Sequence, residues 1–490
     1  MRRRGGAGVP AVLFDEPSAW ADTRENTPTT NYVRTSPFAR VVYDTAATEI
    51  TINSYNDLFS AYPQFTELGL TVNGVHQSVL PGGAGAQSNT ITLPSGSKRI
   101  EIVNGTQTRP SGSILGTFLV SIEANDGLVR VPPAASNDLL FYGDSITVGA
   151  NSQYPTGRGY AMLVRRQSGQ NVGVEGFGFR SLWDDCKDAT SRAAFVGKVV
   201  DWGPSKMWIG IGHNDYFLDR WSAADYGAAY AALLDDLNAA LPGLTIYAQS
   251  PIIRNPDPIN GFSETLTDYR AEVAAAASGR SWVTYVDGLD MLGFRSLDDG
   301  VHPTTDGHFG IAEYINYFLG YDTPPVSAVI SDRSGTSVSG PDMFGMYRIE
   351  KISGGAGFNA SADAGLTEFN GDFRLRMVVK NEPFDRVVGV RKTDPTLDSN
   401  YTGIEYAIYD RAVWEGLPPT PVGGSYEGDF RLPAWIMREG STLTYRYGYD
   451  PDAATVMRTV SGVTDTLYFD TSLFNIGAIV DVSIYDASGG

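Results

Sequence analysis

From about residue 41 the chain alternates apolar and polar positions with a period of two. Ile50 and Ile52 alternate with Glu49 and Thr51, and Ile100 and Ile102 alternate with Arg99 and Glu101. This is the pattern of strands that bury one face. Leu70 and Val72 run into Asn73-Gly74, a strong two-residue hairpin signal. A β-sandwich of jelly-roll type is therefore predicted over 41–133, preceded by an arm over 1–40 with little hydrophobic periodicity.

At 134–322 the pattern changes. Short apolar runs at Leu139-Leu140-Phe141-Tyr142, Asn171-Val172-Gly173-Val174, Lys206-Met207-Trp208-Ile209-Gly210-Ile211, Leu244-Thr245-Ile246-Tyr247-Ala248 and Trp282-Val283-Thr284-Tyr285-Val286 are separated by helical stretches. In the clearest of these, Tyr226, Tyr230, Leu233, Leu237 and Leu241 recur at spacings of three and four before Pro242-Gly243. Strands joined by helices cannot be hairpins, so they form parallel βαβ units. The expectation is a three-layer α/β domain on a five-stranded parallel sheet, with any ligand beyond the carboxyl ends of the strands.

After Tyr321-Asp322-Thr323-Pro324-Pro325 period two returns: Phe373, Leu375, Met377 and Val379 alternate, as do Leu443, Tyr445, Tyr447 and Tyr449. A second β-sandwich is predicted over 323–490. Its tyrosines, with Trp414 and Trp435, would suit a glycan-binding face, although strands favour aromatics for packing alone. The fold class is thus multidomain, one α/β block between two sandwiches.

Composition agrees and narrows the function. The 490 residues include 55 glycines and 27 prolines, a turn-rich balance. With 37 Lys and Arg against 56 Asp and Glu, the net charge of −19 argues against nucleic acid as a partner. Cys186 is the only cysteine, so neither an intrachain disulfide nor a multi-cysteine zinc site is expected. No run of about 18 apolar residues is present to span a membrane. The N-terminal Val-Pro-Ala-Val-Leu-Phe run, followed by Asp15 and Glu16, is a poor signal-peptide core. Compartment and oligomeric state are left open, and an extracellular or surface location would need another route.

The chemistry gathers at strand ends. Gly143-Asp144-Ser145-Ile146 follows the first strand, Gly212-His213-Asn214-Asp215 the third, and Asp299-Gly300-Val301-His302-Pro303-Thr304 the fifth. Acyl transfer needs a hydroxyl nucleophile, an imidazole to take its proton, a carboxylate to orient the imidazole, and donors for an oxyanion. Ser145 is placed where a strand should give way to a helix, although Gly-Asp-Ser alone equally describes a helix cap. Asp299 lies three residues before His302, so one loop can deliver both. The plain alternative is a solvated loop with a surface histidine. His308, with Asp306 two residues before it, is the rival base, expected instead on the first turn of the last helix in a supporting role. Asn214 offers an amide to an oxyanion, and Asp215 reads as a brace for its turn. No cofactor and no metal are called for.

Taken together, these three motifs resemble blocks I, III and V of the SGNH (GDSL-type) hydrolase superfamily over residues 137–320. The resemblance implies a flavodoxin-like form for the α/β domain, with Ser145 as nucleophile, His302 as general base and then acid, and Asp299 as its orienter. It implies oxyanion donors from the Ser145 amide, the Asn214 side chain and a block II glycine. Block II departs from the family: Asn171-Val172-Gly173-Val174-Glu175-Gly176 fits with Glu in place of Ser, and Gly178-Phe179-Arg180-Ser181-Leu182 fits as well. Gly176 and Gly178 are both candidates, with Gly178 favoured because a helix opens soon after it. A sandwich ahead of such a domain, with Leu93-Pro94-Ser95-Gly96, is similar to two-domain carbohydrate esterases, which implies an acetylated polysaccharide or other glycan as the substrate. Phe177, Phe179, Trp183 and Tyr216 flank the site and are candidates for the substrate wall. Two other functions fit less well: a glycan-binding surface or phage-tail-like protein with accessory esterase activity, and a lipase or thioesterase.

Overall fold

The computed structural model describes residues 40–56, 67–81, 85–103, 107–108, 115–131, 138–152, 155–293, 296–322, 327–334, 336–342, 346–353, 360–363, 368–379, 386–392, 404–409, 412–416, 420–425, 433–452, 454–473 and 478–487. The arm expected over 1–40 lies outside the described residues but for Arg40, as do most of the linkers expected around 131–136 and 321–325. The chain divides into two compact units, one of Met1–Met291 with Leu297–Ala312, the other of Leu292–Ser296 with Glu313–Gly490.

Among its described residues the first unit opens with nine strands: β1 (Arg40–Thr45), β2 (Glu49–Asn56), β3 (Glu67–Val72), β4 (Val75–Pro81), β5 (Gly85–Thr92), β6 (Lys98–Val103), β7 (Gln107–Thr108), β8 (Leu115–Ala124) and β9 (Leu128–Val131). They form a five-stranded sheet, β4-β3-β6-β1-β9, and a four-stranded sheet, β5-β2-β8-β7. Ile50, Ile52 and Ile122 from the second sheet share one core with Leu68, Leu70, Ile100 and Ile102 from the first, which makes a sandwich. Asn73 and Gly74 carry φ of 50° and 82°, the left-handed pair that a tight hairpin needs.

The α/β part of this unit holds the parallel sheet β11-β10-β12-β13-β14. Its strands are β10 (Leu139–Gly143), β11 (Val172–Gly176), β12 (Lys206–Gly210), β13 (Thr245–Gln249) and β14 (Val283–Val286). In sequence order this is 2-1-3-4-5, with the topological switch at the first strand. Helices α1 (Pro155–Arg158), α2 (Tyr160–Ser168), α3 (Leu182–Cys186), α4 (Ala189–Trp202), α5 (His213–Phe217), α6 (Ala223–Ala240), α7 (Leu266–Ala277) and the first turns of α8 (Thr305–Phe318), as far as Ala312, complete it. The apolar stripe of α6 is fully buried at Tyr226, Tyr230, Leu233 and Leu237, the two leucines worth about 1.5–3 kcal/mol each. Cys186 is buried in the same core, where burial raises the thiol pKa. An ion pair from Arg165 on α2 to Glu101 on β6 joins the α/β part to the sandwich.

The second unit contains two seven-stranded sheets among its described residues, with every strand pairing antiparallel. Alternation is observed at Leu443 and Tyr445, buried between more exposed neighbours, but stops at half-buried Tyr447, and it fails along 375–378, where Arg376 and Val378 are buried beside Leu375 and Met377. Trp435 departs from its expected glycan-binding role. It is 2% exposed, donates its Nε1–H to the Gly448 carbonyl at 2.7 Å, and lies under Arg376. Trp414 is half-buried and stacked on Tyr409.

Candidate functional site

The register of the parallel sheet assembles the site. Gly143 pairs with Gly176 on one side and Gly210 on the other, and Gly210 pairs with Gln249. Three glycines therefore end three neighbouring strands in one row, and each releases its motif at the same edge. Close approach explains them: a Cβ on Gly143 would stand 2.0 Å from Thr147 Oγ1 and 2.7 Å from the Gly210 carbonyl oxygen. A Cβ on Gly176 would stand 2.9 Å from the Gly143 carbonyl oxygen.

After Gly143 the chain does not enter the helix expected at Ser145. It makes single turns, with Val148 N–H to Asp144 O, Gly149 N–H to Ile146 O and Ala150 N–H to Ser145 O. Left-handed backbone at Gly149 (φ 79°) and Asn151 (φ 64°) stops any helix from propagating. Ser145 is thereby left half-exposed at the sheet edge.

Ser145 Oγ lies 2.8 Å from His302 Nε2, and His302 Nδ1 lies 2.7 Å from Asp299 Oδ2. The geometry suits a neutral imidazole in which Nδ1–H donates to Asp299 and Nε2 accepts from Ser145. Asp299 Oδ1 accepts the amides of Val301 and His302 at 3.0 and 2.8 Å. Burial works against its charge, but the hydrogen bonds from the His302 ring and these amides prevail and hold its pKa below the ordinary range. The loop turns at Gly300 (φ 82°), whose carbonyl accepts the Asn255 amide at 2.9 Å.

His308, the rival base, is fully buried on the first turns of α8, away from Ser145 Oγ in its bonding. Its Nε2 donates to the Ala150 carbonyl at 3.0 Å and its Nδ1 accepts the Tyr160 amide at 3.3 Å. Burial pushes its pKa down to about 4, so it is a neutral strut. His213 is likewise neutral: burial, then the charges of Arg270 and Arg254, push it down to about 3. Asp144 is buried and accepts the Ile146 amide, and burial raises its pKa to about 6.

Asn214 is buried at the start of α5, with Nδ2 donating to the Arg180 carbonyl at 2.8 Å. One amide proton is committed there and the second is uncommitted by that bond. Asp215 accepts the amides of Leu182 and Trp183 at 2.8 and 3.0 Å, which ties α5 to the start of α3. Burial raises its pKa to about 7. Gly176 and Gly178 are both buried beside this junction.

The aromatic candidates separate into two pairs. Phe179 is 40% exposed in left-handed backbone (φ 66°), a strained state for a bulky residue. Trp183 is half-buried, with the cations of Lys187 and Arg220 over its ring. Phe177 and Tyr216, expected in the substrate wall, are instead 3% and 1% exposed. Phe177 lies against the Arg180 guanidinium at 4.8 Å. Tyr216 packs edge-on to Tyr269 and donates its hydroxyl proton to the Pro258 carbonyl, because the single turn of α5 aims it inward and leaves Phe217 outside.

Arg180 is the residue that motif matching passes over. Its side chain is fully buried, with Nε donating to Asp185 at 2.7 Å and Nη1 to Glu175 at 2.9 Å. Tyr142 also donates to Asp185, and the guanidinium stacks between the rings of Tyr142, Phe177 and Phe195. The unusual glutamate of block II is therefore one arm of a buried ion cluster that fixes the loop from Gly176 to Ser181. The sequence signal is an arginine five residues from an acid on either side, in an aromatic setting.

Residues 141–308 match the model of the GDSL-like lipase/acylhydrolase family. A comparison with curated protein sequences returned no match. Among solved structures the chain is similar to the salicylyl-acyltransferase SsfX3 from a tetracycline biosynthetic pathway, at 18% identity and a TM-score of 0.48, covering 57% of this chain and 81% of that one. It is similar to a family two carbohydrate esterase from Clostridium thermocellum in complex with cellohexaose, at 16% identity and a TM-score of 0.44, covering 59% and 94%. It is also similar to the acetyl xylan esterase Est2A from the rumen bacterium Butyrivibrio proteoclasticus, at 16% identity and a TM-score of 0.42, covering 58% and 91%.

Proposed function

We propose, on the premise that residues 141–308 form a domain of the GDSL-like lipase/acylhydrolase family and that the protein is a carboxylic ester hydrolase, that it removes acetyl groups from a carbohydrate through an acyl-enzyme. Ser145 Oγ attacks the ester carbonyl while His302 Nε2 takes its proton. Asp299 holds the imidazole in the required tautomer and stabilises the imidazolium as it forms. The Ser145 amide, the amide of Gly176 or Gly178, and the free N–H of Asn214 receive the oxyanion. Collapse breaks the bond to the sugar oxygen, which leaves with the proton from His302. Water then attacks the acetyl-serine with His302 as base, and acetate departs.

The observation that carries this is the unbroken contact chain from Ser145 Oγ through His302 to Asp299, at 2.8 and 2.7 Å. A small acyl group and a bulky polar alcohol suit the surroundings. Asp144 and His213 are buried within electrostatic reach of His302 and Asn214 is buried at the start of α5, so the surroundings of the base are polar. Exposed Phe179 offers a ring face on which a sugar can stack, and Phe217 the face that Arg254 does not cover.

The test is acetate release from a panel of acetylated glycans, run beside p-nitrophenyl esters from C2 to C12. The expected result is acetate from at least one glycan and a rate that falls steeply beyond C4. A rate that climbs towards C12, with no acetate from any glycan, would replace this assignment with a lipase or thioesterase.

A further inference from the structure

Asp299 is about half exposed, and its partners at Val301 and His302 come from its own loop. A solvated carboxylate on a loop turns easily towards water unless something outside the loop holds it. Among the described residues, the Asn151 side chain does so. Asn151 Nδ2 lies 3.3 Å from Asp299 Oδ2, the oxygen that faces His302, and 3.1 Å from Asp298 Oδ2.

Asn151 is itself held in place. It is in left-handed backbone at the end of the turns that follow Ser145. The residue before it, Ala150, gives its carbonyl to buried His308, and the residue after it, Ser152, closes its hydroxyl onto the Gly149 carbonyl at 2.7 Å. The loop of the nucleophile thus reaches across to the loop of the base and its carboxylate, with a neutral histidine behind it.

We propose that Asn151 is a positioning residue for the hydrolysis, acting through Asp299. Its two amide protons serve the two neighbouring carboxylates, one each, which fixes the rotamer of Asp299 and offsets the repulsion of two adjacent anions. This rests on the roles assigned to Ser145, His302 and Asp299 above. Asparagine suits the position on both counts, since it tolerates left-handed backbone and carries a donor without a charge.

Two substitutions separate side chain from backbone. Asn151→Gly keeps the left-handed turn at no steric cost and removes the amide. It is expected to lower kcat for p-nitrophenyl acetate roughly 10- to 100-fold, as small misplacements of catalytic groups do, with KM and Tm close to wild type. Asn151→Asp keeps the shape, cannot donate, and adds a third anion near His302. It is expected to move the acid limb of the kcat/KM profile to higher pH. A glycine variant within twofold of wild-type kcat, or variants that lose Tm while the pH limb stays fixed, would overturn the proposal. Ser145→Ala in the same assay keeps the two questions apart, because turnover there would defeat the assigned triad whatever Asn151 does.

Discussion

Ser145→Ala is expected to lower kcat/KM for p-nitrophenyl acetate by roughly 10⁴-fold or more, the scale of losing a triad serine, while Tm stays within about 2 °C of wild type. Ser145 is half-exposed and its hydroxyl bonds His302 Nε2. Its loss removes no buried packing, so stability should hold. The variant leaves the loop amides and Asn214 intact, and residual rate on this activated ester would come from them and from His302 acting on water. Turnover within tenfold of wild type would show that the nucleophile lies elsewhere.

Arg180→Leu is the substitution with the largest expected cost in stability. Arg180 is fully buried and joins two buried carboxylates. Burying such an ion cluster is itself costly, but removing only the cation leaves Glu175 and Asp185 without it in a region of low dielectric. Breaking a buried pair in this way costs about 3–5 kcal/mol, a large fraction of the roughly 5–15 kcal/mol that holds a domain folded. The midpoint of thermal unfolding should fall by on the order of 10 °C. Arg180→Lys should not restore it, because one ammonium cannot reach two carboxylates with the geometry of a planar fork. The double variant Arg180→Leu with Glu175→Gln should recover part of the loss by removing one stranded charge. An Arg180→Leu protein as stable as wild type would mean that the cluster contributes nothing to the fold.

The two substitutions differ in what the sequence could say about them. Ser145, His302 and Asp299 are legible because each sits in a short local motif at a strand end, and strand order alone carries them to one edge. The strands are legible for the same reason, since alternation at Ile50 and Ile52 or at Leu443 and Tyr445 depends only on near neighbours.

What was not legible depends on contacts between segments. Arg180 has acids five residues away on either side, but that spacing alone does not show a buried cluster, and only the folded chain brings Glu175, Asp185 and three aromatic rings around it. Tyr216 and Phe217 are adjacent and chemically alike, and one short helix decides which of them faces the core. Trp435 has the composition of a glycan platform and the burial of a core residue. Asn151 carries no motif, because its partners are 147 and 148 positions away. The absence of a helix after Ser145 follows from left-handed backbone at Gly149 and Asn151, a conformation both residue types tolerate but neither dictates.

The central claim is that Ser145 carries the acyl group. Its most direct test is peptide mapping by mass spectrometry after acid quench of the enzyme during turnover of p-nitrophenyl acetate, with a fluorophosphonate ester as the irreversible counterpart. The account predicts an acetyl or phosphonyl adduct on Ser145 in the wild-type protein and its loss in His302→Ala. Full turnover with no adduct, or an adduct on a different residue, would contradict it.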